Sequence, residues 1–190
     1  EVVVRVQGIL CCKELPPVEN ISRTKYSRCR YLRQSIGITG LGREYFDNAI
    51  YGIMQMHGIF NCQFKENDLE PWQPSMHDQM PTIDANNRYF TPRRESPSTL
   101  PVPFQPMVDL KGTLTRLASN LNNFIYTQDN QVHYFEYRAD NTGIKGYEEV
   151  DPNKFCIGDI VEVQLSFVVI PIKDGKNKLI SVMRALTLLN

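Results

Sequence analysis

A long alternation of apolar and polar residues stands out near the end of the chain. A period of two is typical of a strand with one buried face. Gly158-Asp159 precedes the alternation and Pro171 follows it, so the pattern predicts a strand from 160 to 170. The apolar positions are Val161, Val163, Leu165, Phe167 and Val169, and the polar positions between them are Glu162, Gln164 and Ser166.

The region around this strand contains four more β patterns. Residues 108–117 alternate around Gly112 and predict a first strand. Residues 124–127 and 132–138 are rich in β-branched and aromatic residues and predict a hairpin around the turn 128–131. After a turn at Asp174-Gly175, residues 179–189 predict a final strand. Five strands in about eighty residues are typical of a small barrel.

The order of these features resembles the oligonucleotide/oligosaccharide-binding (OB) fold of the replication protein A type. The resemblance covers 107–190, and the same region is also similar to an uncharacterised family common in mushroom-forming fungi. It implies a five-stranded OB-like barrel that binds through its second and third strands and the loops beside them. The residues that carry it are Val108-Asp109-Leu110-Lys111-Gly112-Thr113-Leu114, Phe155-Cys156-Ile157-Gly158-Asp159-Ile160-Val161-Glu162-Val163 and Leu179-Ile180-Ser181-Val182.

The remainder of the chain predicts two further segments. Residues 1–64 form a β-rich extension, with a strand over 2–12 and one or two strands over 48–64, where Gly52 and Gly58 disfavour a helix. Residues 65–106 contain eight prolines and no sustained periodicity, which predicts a linker that stays extended unless it lies along a folded surface. We therefore expect a mostly β protein whose C-terminal barrel carries an N-terminal β-rich extension.

Composition narrows the class of partner. The chain has 190 residues, with 21 basic and 21 acidic side chains and a net charge of zero, whereas a dedicated nucleic-acid domain is usually basic. No apolar run is long enough for a membrane span, and no leader of the secretory type is recognisable. The five cysteines are irregularly spaced, which favours reduced thiols and an intracellular location, in the nucleus or the cytoplasm.

One segment concentrates positive charge. Ser22 to Arg33 holds five cations and two tyrosines without an acidic residue. Cations interleaved with aromatic rings suit a phosphate backbone with stacked bases, although a solvated basic loop has the same composition. The candidate nucleic-acid-binding residues of this segment are Arg23, Lys25, Tyr26, Arg28, Arg30, Tyr31 and Arg33.

The predicted second and third strands of the barrel supply aromatic candidates. Alternation sends Val132 and Tyr134 to one side and His133, Phe135 and Tyr137 to the other, and we expect one of the two sets to belong to the core. The loop after the fourth strand adds lysines beside the groove. The candidates from these two regions are Tyr126, Tyr134, Phe135, Tyr137, Arg138, Lys173, Lys176 and Lys178.

No recognisable motif predicts catalysis. The three histidines are not spaced with the cysteines as metal ligands, and no cofactor fingerprint or nucleophile elbow is present. We therefore expect no enzyme activity, no cofactor and no metal. The sequence favours a module that binds single-stranded DNA or RNA. The alternative is a protein-interaction or scaffold module that uses the barrel groove or the sheet edge.

Overall fold

Ten strands and two α-helices lie in the part of the chain that the computed structural model describes, which is residues 1–18, 29, 31–139 and 145–189. The helices are α1 (Glu44–Asn61) and α2 (Thr113–Ser119). The strands are β1 (Val4–Glu14), β2 (Arg33–Thr39), β3 (Ser75–His77), β4 (Met80–Arg88), β5 (Thr91–Pro92), β6 (Phe124–Ile125), β7 (His133–Ala139), β8 (Lys145–Glu149), β9 (Ile160–Pro171) and β10 (Asn177–Leu188).

Five strands close into a barrel. β4, β2, β1, β9 and β10 are neighbours in that order, and each is antiparallel to the next. A parallel pairing of β10 with β4, through Val182 and Asn86, closes the ring. Side chains on alternate residues fill the interior, among them Leu10, Ile38 and Leu165. The protein is therefore mostly β, with an OB-like barrel and additional strands, as the sequence predicts.

The barrel takes its strands from all three segments that the sequence distinguishes. β1 and β2 precede residue 65, β4 lies in the proline-rich region, and β9 and β10 lie near the end of the chain. The predicted strands over 2–12, 160–170 and 179–189 correspond to β1, β9 and β10. How the chain divides into folding units stays a prediction.

The predicted first barrel strand over 108–117 is wrong, because these residues form a turn and the start of α2. The carboxylate of Asp109 accepts hydrogen bonds from the backbone N–H groups of Leu114 (2.9 Å) and Thr115 (2.8 Å), which caps the new helix. Leu114 and Leu117 then lie one turn apart and are both buried. A helical spacing of apolar residues therefore replaces the apparent alternation.

The predicted strands over 48–64 are also wrong, since this region is the helix α1. Phe46 and Ile53 of α1 are buried, and Ala49, Ile50 and Met56 pack beside them at helical spacing. Burial of this apolar face outweighs the low helix propensity of Gly52 and Gly58 in α1.

The predicted hairpin over 124–138 does not form. β6 pairs with β5, whereas β7 pairs with β10 and β8. A 3-10 turn separates β6 from β7, and the side chain of Asn130 accepts hydrogen bonds from the backbone N–H (2.9 Å) and the Oγ1 (3.0 Å) of Thr127. This cap turns the chain away from a direct hairpin, so that β7 and β8 extend the sheet beyond the barrel.

Candidate nucleic-acid interface

A groove of about 680 Å³ lies on the outside of the barrel where β4 meets β10. Its floor is mainly apolar and comes from β9 and β10, through Phe167, Val168, Ile170, Ile180 and Val182. Its polar walls come from β2 and β4 and from the segments after β4 and before β7. The groove therefore combines an apolar surface with hydrogen-bonding groups.

Strand register places the polar residues of β2 and β4 on this outer surface. Arg33 lies opposite Arg88, and Ser35 lies opposite Asn86. The alternate pairs, Gln34 with Asn87 and Ile36 with Ala85, are buried. Alternation along two paired strands thus aligns two arginines and an amide at one end of the barrel.

Three guanidinium groups line the groove, from Arg33, Arg88 and Arg184. Nη1 of Arg33 donates to the neutral amide Oδ1 of Asn86 at 2.8 Å, a bond that leaves its positive charge uncompensated. Nη1 of Arg88 donates to Oε2 of Glu95 at 2.8 Å, in an ion pair that is partly exposed.

Arg184 is held more firmly than the other two arginines. Its Nε donates to Oγ of Ser166 at 2.9 Å, and its Nη1 donates to the backbone oxygen of Asp129 at 2.8 Å. Its Nη2 contacts the carboxylate of Glu1. These bonds fix a positive charge at the edge of the apolar floor.

A second cavity, of about 400 Å³, continues the groove along β4. The two cavities share Asn86 and Ile180 in their linings. The second cavity is lined in addition by Trp72, which is half-buried, and by Lys178, which is exposed. The continuous surface therefore carries arginines at one end and an indole ring with a lysine at the other.

A buried polar network supports the arginine end from below. The hydroxyl of Tyr134 donates to Oε1 of Gln34 at 2.8 Å, and Nε2 of Gln34 donates to the backbone oxygen of Asn130 at 3.0 Å. The amide of Asn87 donates to the backbone oxygens of Asp129 (2.9 Å) and Met183 (3.2 Å). Satisfied buried amides of this kind fix the relative positions of β2, β4 and β10.

The basic segment predicted to bind phosphates belongs to the connection between the first and second barrel strands. Of its residues, Tyr31 is exposed at the surface and Arg33 lines the groove. The other candidates lie outside the described residues: Arg23, Lys25, Tyr26, Arg28 and Arg30.

Two of the predicted stacking residues lie in the core, which corrects their assignment. Tyr126 is 2% exposed and stacks on Phe104 with the ring centroids 3.9 Å apart, and burial raises its pKa to about 12. Tyr134 is 4% exposed, and burial raises its hydroxyl pKa well above the usual value. Neither ring presents a face on which a base could stack.

The remaining candidates of β7 lie away from the groove. Phe135 and Tyr137 are half-buried on the outer face of β7, and both rings contact Tyr147 of β8. Arg138 forms ion pairs with Glu136 (3.1 Å) and Glu148 (2.7 Å). None of the three candidates lines either cavity.

The predicted lysines lie in and beside the connection between β9 and β10, which joins the fourth and fifth barrel strands. Lys173, Lys176 and Lys178 are all exposed. A positive φ of 61° at Asp174 and 72° at Gly175 turns the chain here. Lys178, near the start of β10, lines the second cavity, whereas Lys173 and Lys176 line neither cavity.

Sequence reasoning missed several residues of the surface. Asn86 and Arg88 lie in the proline-rich region, where the short alternation over 82–86 is the signal that indicates a strand. Arg184 interrupts an apolar run, and its cationic side chain on a predicted barrel strand indicates an outward position. Trp72, the only tryptophan of the chain, also lies in the proline-rich region.

Among the described residues, no cluster of three or more histidine, cysteine or acidic side chains is arranged to hold a metal ion. No helix in the same part of the chain has the length and apolar character that a membrane crossing requires.

Comparison with known proteins identifies no family. No family model and no curated protein matches the sequence, so the similarity to a family of mushroom-forming fungi has no support. Among solved structures, the chain is similar to gp2.5, a single-stranded DNA-binding protein encoded by bacteriophage T7. The two share 10% sequence identity over 100% of this chain and 92% of the other, with a TM-score of 0.45.

Proposed function

We propose that the continuous groove binds single-stranded nucleic acid without catalysing a reaction. The observation that carries this proposal is the convergence of Arg33, Arg88 and Arg184, from three barrel strands, on an apolar floor. OB folds bind oligonucleotides on the second and third strands and beside the loops that join strands one to two and four to five. The second and third barrel strands, β2 and β4, supply polar walls of the groove through Arg33, Asn86 and Arg88, whereas its apolar floor lies on the fourth and fifth strands, β9 and β10.

The arginines suit phosphate groups. A guanidinium is planar, always charged and able to donate two parallel hydrogen bonds to a phosphate. Arg33 and Arg88 lie on adjacent strands, and Arg184 borders the same groove from β10. We infer that they contact the backbone of the ligand together with Lys178, which lines the second cavity, and that the basic residues of the first connection also bind phosphate.

The apolar floor of the groove is suited to the unpaired bases of single-stranded nucleic acid rather than to a duplex. Phe167, Ile180 and Val182 offer apolar surface, and Trp72 offers an aromatic ring. Stacking of a base on an aromatic side chain contributes about 1–3 kcal/mol. In a duplex the base faces are already stacked on each other, so the floor favours a single strand.

The charge balance predicts weak, salt-sensitive binding. Arg88 and Arg184 already contact Glu95 and Glu1, and an incoming phosphate must compete with these carboxylates. The chain as a whole has no net charge. We therefore expect a dissociation constant of about micromolar order at low salt, in the range of sequence-independent binding.

Fluorescence anisotropy of labelled single-stranded and duplex oligonucleotides tests the proposal, at low and then at physiological salt. We expect single strands to bind more tightly and all binding to weaken with salt. Arg33→Ala should reduce the binding, whereas Arg116→Ala on the exposed side of α2 is the matched control. An absence of binding at low salt would refute the proposal, and a protein partner would then become the leading alternative.

A further inference from the structure

The free edge of β8 carries a self-complementary arrangement of charges. β8 is the last strand of the eight-stranded sheet, and no strand pairs with its other side among the residues the structure describes. Its sequence is Lys145-Gly146-Tyr147-Glu148-Glu149. An unpaired edge is a template for another strand unless the edge is protected.

The hydrogen-bonding direction of each β8 residue follows from its register with β7. The N–H of Val150 donates to the backbone oxygen of Tyr134 at 3.0 Å, which shows that Val150 faces β7. The register continues without a bulge, with Tyr137 opposite Tyr147. Because backbone groups alternate along a strand, Glu148 and Gly146 also face β7, and Lys145, Tyr147 and Glu149 face the free edge.

Antiparallel pairing of this edge with its own copy aligns all three outward-facing residues. When Tyr147 lies opposite Tyr147 of a second copy, Lys145 lies opposite Glu149 and Glu149 lies opposite Lys145. Each of these is a hydrogen-bonded pair in which both backbones exchange N–H and C=O groups. If one copy of β8 is shifted by two residues along the other, in either direction, the lysine–glutamate pairs are lost. One of the three residues, Lys145, Tyr147 or Glu149, then no longer lies opposite any of the three residues of the other copy.

We propose that two copies of this chain form a two-fold dimer by antiparallel pairing of β8 with β8. The contact joins the two sheets into one continuous sheet. Two lysine–glutamate pairs flank the axis, and the two Tyr147 rings meet at it. Tyr147 is already half-exposed beside Phe135 and Tyr137, so pairing adds to an existing aromatic cluster.

The arrangement of the charged residues distinguishes the β8 edge from a sheet edge whose charges only prevent pairing with another strand. Charged residues usually prevent edge pairing because like charges meet or because charge must be desolvated. Here the two-fold register places opposite charges together on the face shared by Lys145, Tyr147 and Glu149. On the other face Gly146 lies opposite Glu148, which avoids a clash of two carboxylates. Two-fold symmetry requires such self-complementarity of the surface.

Sedimentation velocity of the full chain, from micromolar to millimolar protein at low salt, tests the dimer. Lys145→Glu and Glu149→Lys each replace attraction by repulsion in both pairs, and each should raise the dimer dissociation constant about tenfold or more. The double variant K145E/E149K restores both pairs and should return the constant to within about threefold of the original value. Lys65→Glu, an exposed change on another surface, is the matched control.

Amide hydrogen exchange of the unmodified chain provides a second measurement that does not depend on a variant folding. The amides of Lys145, Tyr147 and Glu149 should gain protection as the protein concentration rises. Those of Gly146 and Glu148 already face β7 and should change little. A monomer at all concentrations, single variants that leave the constant unchanged, or a double variant that fails to restore it would each overturn the dimer.

The dimer is independent of the proposed nucleic-acid function. None of the β8 residues lines either cavity of the groove. A failure of oligonucleotide binding therefore leaves the dimer intact, and a monomeric protein leaves the groove unchanged.

Discussion

Arg33 and Arg88 lie directly opposite each other on β2 and β4, in a pair whose backbones do not hydrogen-bond to each other. The next pair along the two strands, Leu32 and Tyr89, is the hydrogen-bonded one, since the N–H of Tyr89 donates to the backbone oxygen of Leu32 at 3.0 Å. Side chains approach each other most closely in non-hydrogen-bonded pairs, and like charges placed opposite each other destabilise a sheet. The two arginines are therefore expected to lower the stability of the fold, an effect that the ion pair of Arg88 with Glu95 offsets in part.

Arg33→Gln should separate stability from binding. Glutamine removes the positive charge but keeps a side-chain donor for Asn86, so the free energy of unfolding should stay unchanged or rise by about 0.2–1 kcal/mol. Binding of a single-stranded oligonucleotide should weaken, and the slope of log affinity against log salt should become shallower by about 0.7. Urea denaturation and anisotropy titrations measure the two effects.

The matched control for this change is Arg116→Gln, which alters an exposed arginine outside the groove. It should leave the salt slope unchanged. If Arg33→Gln also leaves the slope unchanged, Arg33 does not contact phosphate.

Trp72 provides an intrinsic signal for occupation of the groove. It is the only tryptophan of the chain, it lines the second cavity, and it is half-buried. Stacking of a base on the indole ring should change its fluorescence emission when a single-stranded oligonucleotide is added, with the same dissociation constant as the anisotropy titration. Trp72→Phe keeps an aromatic ring and should weaken binding less than Trp72→Ala.

A duplex of the same composition is the control for the fluorescence titration. It should change the emission less than the single strand at equal nucleotide concentration. An emission that stays constant while anisotropy reports saturation would place the ligand away from the indole ring.

Tyr134→Phe should destabilise the fold without affecting the ligand. The substitution removes the donor to Oε1 of the buried Gln34, which leaves an amide oxygen unsatisfied. An unsatisfied buried group costs about 1–3 kcal/mol. Urea denaturation should show this loss, whereas Tyr45→Phe, at a residue 90% exposed, should show none.

Oligonucleotide affinity distinguishes the two roles considered for Tyr134. Below the denaturation transition, the Tyr134→Phe variant should bind a single strand as the original protein does. A large loss of affinity in a folded variant would instead support the stacking role that the sequence suggested.

The predictability of the fold differs between its strands for physical reasons. β9 was recognised because its apolar and polar residues alternate over 161–167, and β10 because an apolar run follows the turn at Asp174-Gly175. β4 was missed because the buried Asn87 breaks its alternation and Pro81 resembles a linker residue. β4 pairs with β2 and β10, which are distant in the sequence, and the pattern of residues within β4 alone does not reveal these partners.

Two of the predicted candidates lie on the candidate surface, Arg33 at the start of β2 and Lys178 near the start of β10. The signal that marks them in the sequence is the positive charge of residues 22–33 and 173–178. The aromatic residues gave a wrong indication of the binding surface. Aromatic residues such as Tyr126 and Tyr134 are common in strands because they pack in the core, so their presence in a strand does not by itself indicate ligand binding. Arg88 and Arg184 carry no local signal of function, since their meeting depends on the pairing of β4 with β10.

Glycine substitutions in and near α1 test the helix that replaced the predicted strands. A Cβ at Gly52 meets open space, so Gly52→Ala should raise the free energy of unfolding by about 0.5–1 kcal/mol through higher helix propensity. A Cβ at Gly40 would lie 2.1 Å from Cβ of Phe46 and 2.5 Å from its Cγ. Gly40→Ala should therefore displace this buried ring and destabilise the fold by about 1–3 kcal/mol.

The contrast between the two substitutions is the decisive measurement, made by urea denaturation of both variants under one set of conditions. The structure requires opposite signs, because one methyl group enters solvent on a helix and the other enters the packed contact of Phe46 with the barrel. In a strand, by contrast, alanine at position 52 would gain nothing from helix propensity. Equal destabilisation by both variants would contradict the helix and the packing of Phe46.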